Sequence, residues 1–341
     1  MKCTIEKSLL SNWFLDGKMM KKTYLATVLT LTIVGPVNAY ELINTDQAYL
    51  DIYGSIKAQA KIMDEKDNRY TFGDSKIGLT SRYGVTDTLA LAAGLEAEVN
   101  LDADEDKNKD DLYLSQYYAG IYSESLGLLT YGKHSTSSDD LGGVDFSEGF
   151  GGLSDLNSVG VKGDTIKYRY NNDLFKASIT YGPEAGARKR ELAEFYGSYT
   201  SADITFVAGI GQSSTNTSSD QTNSLYGHTS LFLDMGDYNL GATYYYNSTE
   251  DELISSRSVD KNAFALGGQL AFVENTTLYS GYEFIMQDSE TMSQDGNLHN
   301  VYTGISYLIV DWTKIFTELG YKEPITGPSE VNFSLGATIT F

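Results

Sequence analysis

From Tyr49 to the last residue the chain repeats one pattern, in which apolar and polar positions alternate with a period of two and clusters of Gly, Asn, Asp and Ser interrupt the runs. That periodicity belongs to strands with two unlike faces, not to amphipathic helices. The last run shows it best: Val331, Phe333, Leu335, Ala337, Ile339 and Phe341 fall on one face, with Asn332, Ser334, Gly336, Thr338 and Thr340 on the other. Residues 89–99 and 238–247 repeat the arrangement. The polar face is too small and hydrophilic to build a protein core, so it must meet water.

Sixteen such runs follow one another, near 50–60, 75–84, 88–99, 112–123, 127–135, 165–170, 175–181, 190–200, 203–212, 221–235, 238–247, 260–272, 276–287, 297–309, 313–321 and 330–341. Tight turns such as Ser201-Ala202, Gly236-Asp237 and Glu274-Asn275 alternate with longer polar loops of roughly 8 to 25 residues. An even number of antiparallel strands, with short connections at one end and long ones at the other, predicts an all-β fold: a 16-stranded transmembrane β-barrel. Closure matters because lipid offers the backbone no hydrogen-bond partners, and a sheet satisfies itself there only as a cylinder. After residue 39 the prolines are Pro183, Pro324 and Pro328, all placed in the long loops, so no predicted strand loses a donor.

Register then assigns charges to faces. Lys76, Gly78, Thr80 and Arg82 share a face opposite Ile77 and Leu79. A Lys or Arg at the lipid midplane costs roughly 2–4 kcal/mol, so Lys76 and Arg82 should point into a wet lumen. Many of the 26 tyrosines lie near strand ends, as interfacial girdles require. The clear strand aromatics Phe333, Phe341, Tyr244 and Tyr246 fall on the lipid face, which argues against an aromatic track along the lumen.

The chain's one long apolar run, Tyr24 to Gly35, follows Lys21 and Lys22 and precedes Val37-Asn38-Ala39. This is a signal-peptide layout, and twelve residues fall short of the roughly 20 of a spanning helix. The expected division is a presequence 1–39, with its core about 19–39, a start at Met19 or Met20 and cleavage after Ala39, then a barrel over 40–341. Cys3, the only cysteine, falls in the removed part, so the mature protein has no disulfide and no thiol nucleophile. Cleavage leaves 20 basic against 44 acidic residues, which disfavours any nucleic-acid partner.

Other chemistry is weakly signalled. Asp102, Asp104, Asp106, Asn108 and Asp110 alternate like a calcium loop, but Lys107 stands where an EF-hand needs Gly and Tyr113 where it needs Glu. His134, His228 and His299 lack metal-ligand spacing and read as loop or wall residues. The chain has no Gly-x-Ser-x-Gly elbow and no phosphate-binding loop, so no catalytic residue, metal or cofactor is expected.

Four features resemble the general trimeric porins of Gram-negative outer membranes: Leu50-Asp51-Ile52-Tyr53-Gly54 as an opening strand, Tyr131-Gly132-Lys133 closing the fifth strand, residues 145–152 reading Asp-Phe-Ser-Glu-Gly-Phe-Gly-Gly, and the C-terminal Phe341. The resemblance spans the whole mature sequence. It implies a third loop, about 136–160, folded into the barrel as a constriction with Asp139, Asp140, Asp145 and Glu148 as its acids. Its pore wall would carry Lys76, Arg82, Glu96, Lys133, Lys162, Lys167 and Arg169. It further implies a homotrimer among outer-membrane lipid and lipopolysaccharide, with Phe341 read by the barrel-assembly machinery. Two departures stand out: Ser115 replaces the family's basic residue on the fourth strand, and Glu148-Gly149-Phe150-Gly151-Gly152 lacks the loop proline. A lost wall cation beside retained loop acids predicts a passive channel for small hydrophilic solutes and ions that prefers cations. A solute-selective channel, and a barrel serving as adhesin or structural protein, are the rival readings.

Overall fold

A computed structural model describes residues 40–341 apart from 46, 65–67, 74, 100–111, 158–159, 186–189, 218–219, 252–256 and 291–294. The presequence and the calcium-like run at 102–110 therefore lie outside the described residues.

The chain opens with β1 (Tyr40–Asn44), β2 (Ala48–Ile62) and β3 (Arg69–Thr71). The next strands are β4 (Ser75–Gly84), β5 (Ala90–Val99), β6 (Leu112–Ser123), β7 (Gly127–Ser135), β8 (Val161–Asn171) and β9 (Phe175–Ala185). They continue as β10 (Arg190–Ser201), β11 (Ile204–Thr217), β12 (Asp220–Asp234), β13 (Tyr238–Asp251) and β14 (Arg257–Val273). The last four are β15 (Thr276–Ser289), β16 (Gly296–Val310), β17 (Thr313–Glu323) and β18 (Glu330–Thr340), and one helical turn, α1 (Ser137–Asp140), follows β7. Each long strand pairs antiparallel with the next, and β18 pairs with β2, so β2 and β4–β18 close a 16-stranded barrel. β1 and β3 were not foreseen in the pattern. Both lie along β2, where β1 continues below the end of β18: Thr340 pairs with Ser55 and Tyr40 with Ile52. Phe341 exchanges backbone hydrogen bonds with Gly54 at this seam, at 2.7 and 3.0 Å.

The two faces separate as the alternation requires. Val331, Phe333 and Leu335 on β18 and Ile77, Leu79 and Tyr83 on β4 are exposed outward, an apolar belt suited to lipid. Pro183 departs from its expected place in a loop: it lies within β9, where the register against β10 skips between Arg190 and Leu192. The missing N–H thus falls at an irregularity, which a strand tolerates.

The inner face holds many more rings than expected. Tyr53, Tyr118, Tyr196, Tyr226, Tyr279, Tyr302 and Phe316 each stand directly across from a glycine on the neighbouring strand, respectively Gly78, Gly94, Gly209, Gly211, Gly304, Gly281 and Gly336. A Cβ on any of these glycines would come within 2.0–2.4 Å of the ring. Each ring therefore lies flat on its partner's backbone, a cross-strand pairing that fixes register and keeps the wall thin.

Candidate functional site

The segment after β7 lies against the inner face of one half of the barrel. Its root is closed by Thr136 N–H donating to Gly160 at 2.7 Å. Three wall carboxylates then take up its backbone. Glu194 on β10 accepts from Ser137 N–H at 2.6 Å and from Ser138 N–H and Oγ at 3.2 and 2.8 Å. Glu318 on β17 accepts from Glu148 N–H at 2.6 Å, Phe150 N–H at 2.8 Å and Ser147 Oγ at 2.7 Å. Glu283 on β15 accepts from Ser154 N–H and Oγ at 3.2 and 2.9 Å. Segment N–H groups that would otherwise be stranded are satisfied by charge-assisted bonds, which are roughly twice as strong as neutral ones. Between these anchors, Val144 N–H donates to Thr243 and Phe146 N–H to Tyr302. Val144 and Leu156 pack with Tyr245, Ala263, Ala265 and Ile285 into a small apolar core inside the barrel. Gly143 is needed for that approach, since a Cβ there would fall 1.9 Å from the Tyr245 hydroxyl.

Of the four segment acids proposed from the sequence, two are neutralised. Asp140 pairs with Lys167 at 2.6 Å, and that lysine is 1% exposed. Glu148 pairs with Lys314 and stands 3.9 Å from Lys57. Asp139 and Asp145 have no ion pair among the described residues, and Asp155, which the pattern did not single out, resembles them. Asp145 opens on the lumen, yet the surrounding wall withdraws water from it and Glu283 and Glu318 lie near, which pushes its carboxyl up to about 6.

The opposite half of the wall, β4 to β8, carries the exposed cations. Lys76 stands 3.5 Å from Glu96, which is buried and also accepts from Tyr53 at 3.1 Å and from Ser115 and Gln116 at 2.9 Å. Arg169 lies over Tyr118, whose ring stacks on His134, and Arg82 lies 3.9 Å above Tyr122. A cavity of about 300 Å³ joins Lys76, Glu96, Tyr118, His134, Lys167 and Arg169. Lys162 is turned inward and donates to Pro183 C=O at 3.1 Å. Lys133 is a correction. It shares parity with Leu129 and Tyr131, both exposed outward, and its ammonium donates to Leu114 C=O at 2.7 Å. It sits outside the lumen, where a lysine near the rim can reach polar groups along its own stem.

Sequence reasoning missed Lys57, Lys61, Lys314, Glu194, Glu283 and Glu318. Their parity was available: Glu283 stands between Tyr282 and Phe284, and Glu194 beside Phe195, so each acid had to face inward. The reading that strand aromatics avoid the lumen is also overturned by the seven inward rings. The segment covers several of them, for Tyr196, Tyr226, Tyr302 and Phe316 are at most 2% exposed.

A closed barrel with an apolar exterior, a hydrated and charged interior and an inner segment strapped to one wall defines an outer-membrane channel. This chain belongs to the Gram-negative porin family, whose model matches residues 26–324. An outer membrane porin protein of Bordetella pertussis is 27% identical over 94% of this chain and 90% of its own length. A major outer membrane protein of Pasteurella multocida is 29% identical over 46% of this chain and 47% of its own. The trimer form of OmpT, an outer membrane protein of Vibrio cholerae, superposes with a TM-score of 0.76 at 27% identity, covering 86% of this chain and 100% of that one.

Proposed function

We propose that this protein is a passive, water-filled pore that admits small hydrophilic solutes and ions and prefers cations. The observation that carries the preference is the unequal neutralisation of the inner segment. Asp140 and Glu148 are tied to lysines, whereas Asp139 and Asp145 have no ion pair among the described residues. Unneutralised Asp and Glu at a constriction favour cations. Solutes entering between the loops cross this field and leave to the periplasm without a cofactor or an energy source. The family and the trimeric relative support a homotrimer, surrounded by lipopolysaccharide and assembled through recognition of Phe341. Residues 1–39 would direct export. Reversal potentials across a salt gradient in a planar bilayer test the preference: the expected sign is cationic, and an anionic sign defeats it.

A further inference from the structure

The anchors described above leave one buried polar cluster unused. His228, on β12, is 4% exposed and faces inward in a row set by register: Tyr196 opposite Gly209, Gly209 opposite His228, His228 opposite Tyr245. Its ring centroid lies 5.0 Å from that of Tyr196 and 5.3 Å from that of Tyr245. The returning limb of the inner segment closes over it, with Asn157 Nδ2 2.5 Å from His228 Nδ1 and Leu156 C=O accepting from Asn247 at 2.9 Å. Three polar atoms end here without a hydrogen-bond partner among the described residues: His228 Nε2, Tyr196 Oη and Asn157 Oδ1. Leu156 and Tyr245 belong to the apolar core next door.

We infer that His228 is a positioning residue whose neutral ring seats the returning limb, residues 154–157, and that charging the ring releases that limb. With the Asn157 amide as donor, Nδ1 offers its lone pair and the ring's proton sits on Nε2. A doubly protonated ring can only donate, so the contact survives only if the Asn157 amide turns its oxygen to Nδ1, and the ring then places a cation at the edge of an apolar patch. A buried charge of that kind is costly unless it is paired.

Among the described residues, no carboxylate forms an ion pair with the ring. Tyr196 faces the ring from β10, Gly209 from β11, Tyr226 and Ser230 flank it on β12, and Tyr245 faces it from β13. The segment contributes Asn157 and the Leu141 carbonyl. The carboxylates that reach Tyr196 are those of Glu194 and Asp155. Glu194 is occupied by Ser137, Ser138 and Tyr226, and Asp155 accepts Asn157's own N–H at 3.0 Å.

A seated limb that excludes the proton weakens as pH falls below the ordinary histidine value of about 6.5, by up to roughly tenfold in its seating equilibrium per pH unit. The consequence for permeation rests on the pore reading, whereas the seating itself does not.

The test uses the mature chain, which contains no cysteine after residue 39. Leu153, which is exposed, is replaced as Leu153→Cys and carries a nitroxide, in the parent and in His228→Gln and His228→Phe backgrounds. Spectra are compared at pH 7.5 and 4.5. The expected result is a mobile component that grows at pH 4.5 in the parent and does not grow in either variant. Equal growth in all three proteins, or no growth in the parent, overturns the inference. Bilayer conductance of the same proteins separates the two readings: a label that responds to acid in a protein that never conducts defeats the pore and leaves the seating intact.

Discussion

The two halves of the inner wall use the same residue types for opposite ends. Under the segment, Glu194, Glu283 and Glu318 are 1–4% exposed and spend their oxygens on segment N–H and hydroxyl groups. On the uncovered half, Lys76, Arg82 and Arg169 keep faces toward water, whereas Glu96, Lys162 and Lys167 are drawn into the wall. Counting charges along the chain therefore misstates the field in the pore. The acids that hold the segment keep their charge, and Glu283 and Glu318 among them act on Asp145, so the field combines all three with Asp139 and Asp145, while Asp140 and Glu148 are offset by Lys167 and Lys314.

The sharpest way to break this contrast is Glu318→Ala. It removes the acceptor of Glu148 N–H and Ser147 Oγ and leaves Phe150 N–H only its bond to Ser147 Oγ, a loss of roughly 1–3 kcal/mol in a site that lumen water can partly compensate. The expected outcome in single-channel recording is a larger, noisier conductance from a loosened segment tip. Currents matching the parent mean that the covered half does not need its carboxylates.

A smaller effect sharpens the other side of the comparison. Because Asp145 titrates near pH 6, it is charged above that pH and neutral below it. The parent should lose part of its cation preference as pH falls from 7 to 5, while Asp145→Asn should start lower and stay flat through that range. One charge about 8 Å from the permeating ion in water is worth roughly 0.5 kcal/mol, or about twofold in local cation concentration. Reversal potentials at three pH values decide it; an unchanged slope in the variant removes Asp145 from the field.

The smallest expected effect is none. Lys133→Gln should leave conductance and selectivity unaltered and stability within about 0.5 kcal/mol, since the side chain lies on the outward face. A selectivity change would return Lys133 to the lumen.

Much of the barrel was legible because period-two alternation couples every strand to one decision about faces. The outward set on β18 is the one read from the pattern, as are the turns at Ala202, Gly236 and Asn275, where φ is 49°, 77° and 61°. Lys133 was misplaced because a motif resemblance was preferred to the parity it shares with Leu129 and Tyr131. The anchoring glutamates were overlooked although parity pointed inward for each. What no local pattern contains is which half of the wall the segment would cover. That depends on contacts between residues such as Ser147 and Glu318, 171 positions apart, that meet only after the cylinder closes.

The flat rings on glycine partners have a consequence for how this sequence can drift. Each pair behaves as a single letter written across two strands: a side chain gained at Gly94 has nowhere to go while Tyr118 remains, and a ring lost from Tyr118 bares the backbone of Gly94. Changes at such positions should be tolerated in couples and rejected singly, so the seven pairs act as fixed points around which the rest of the lumen is free to vary its charge.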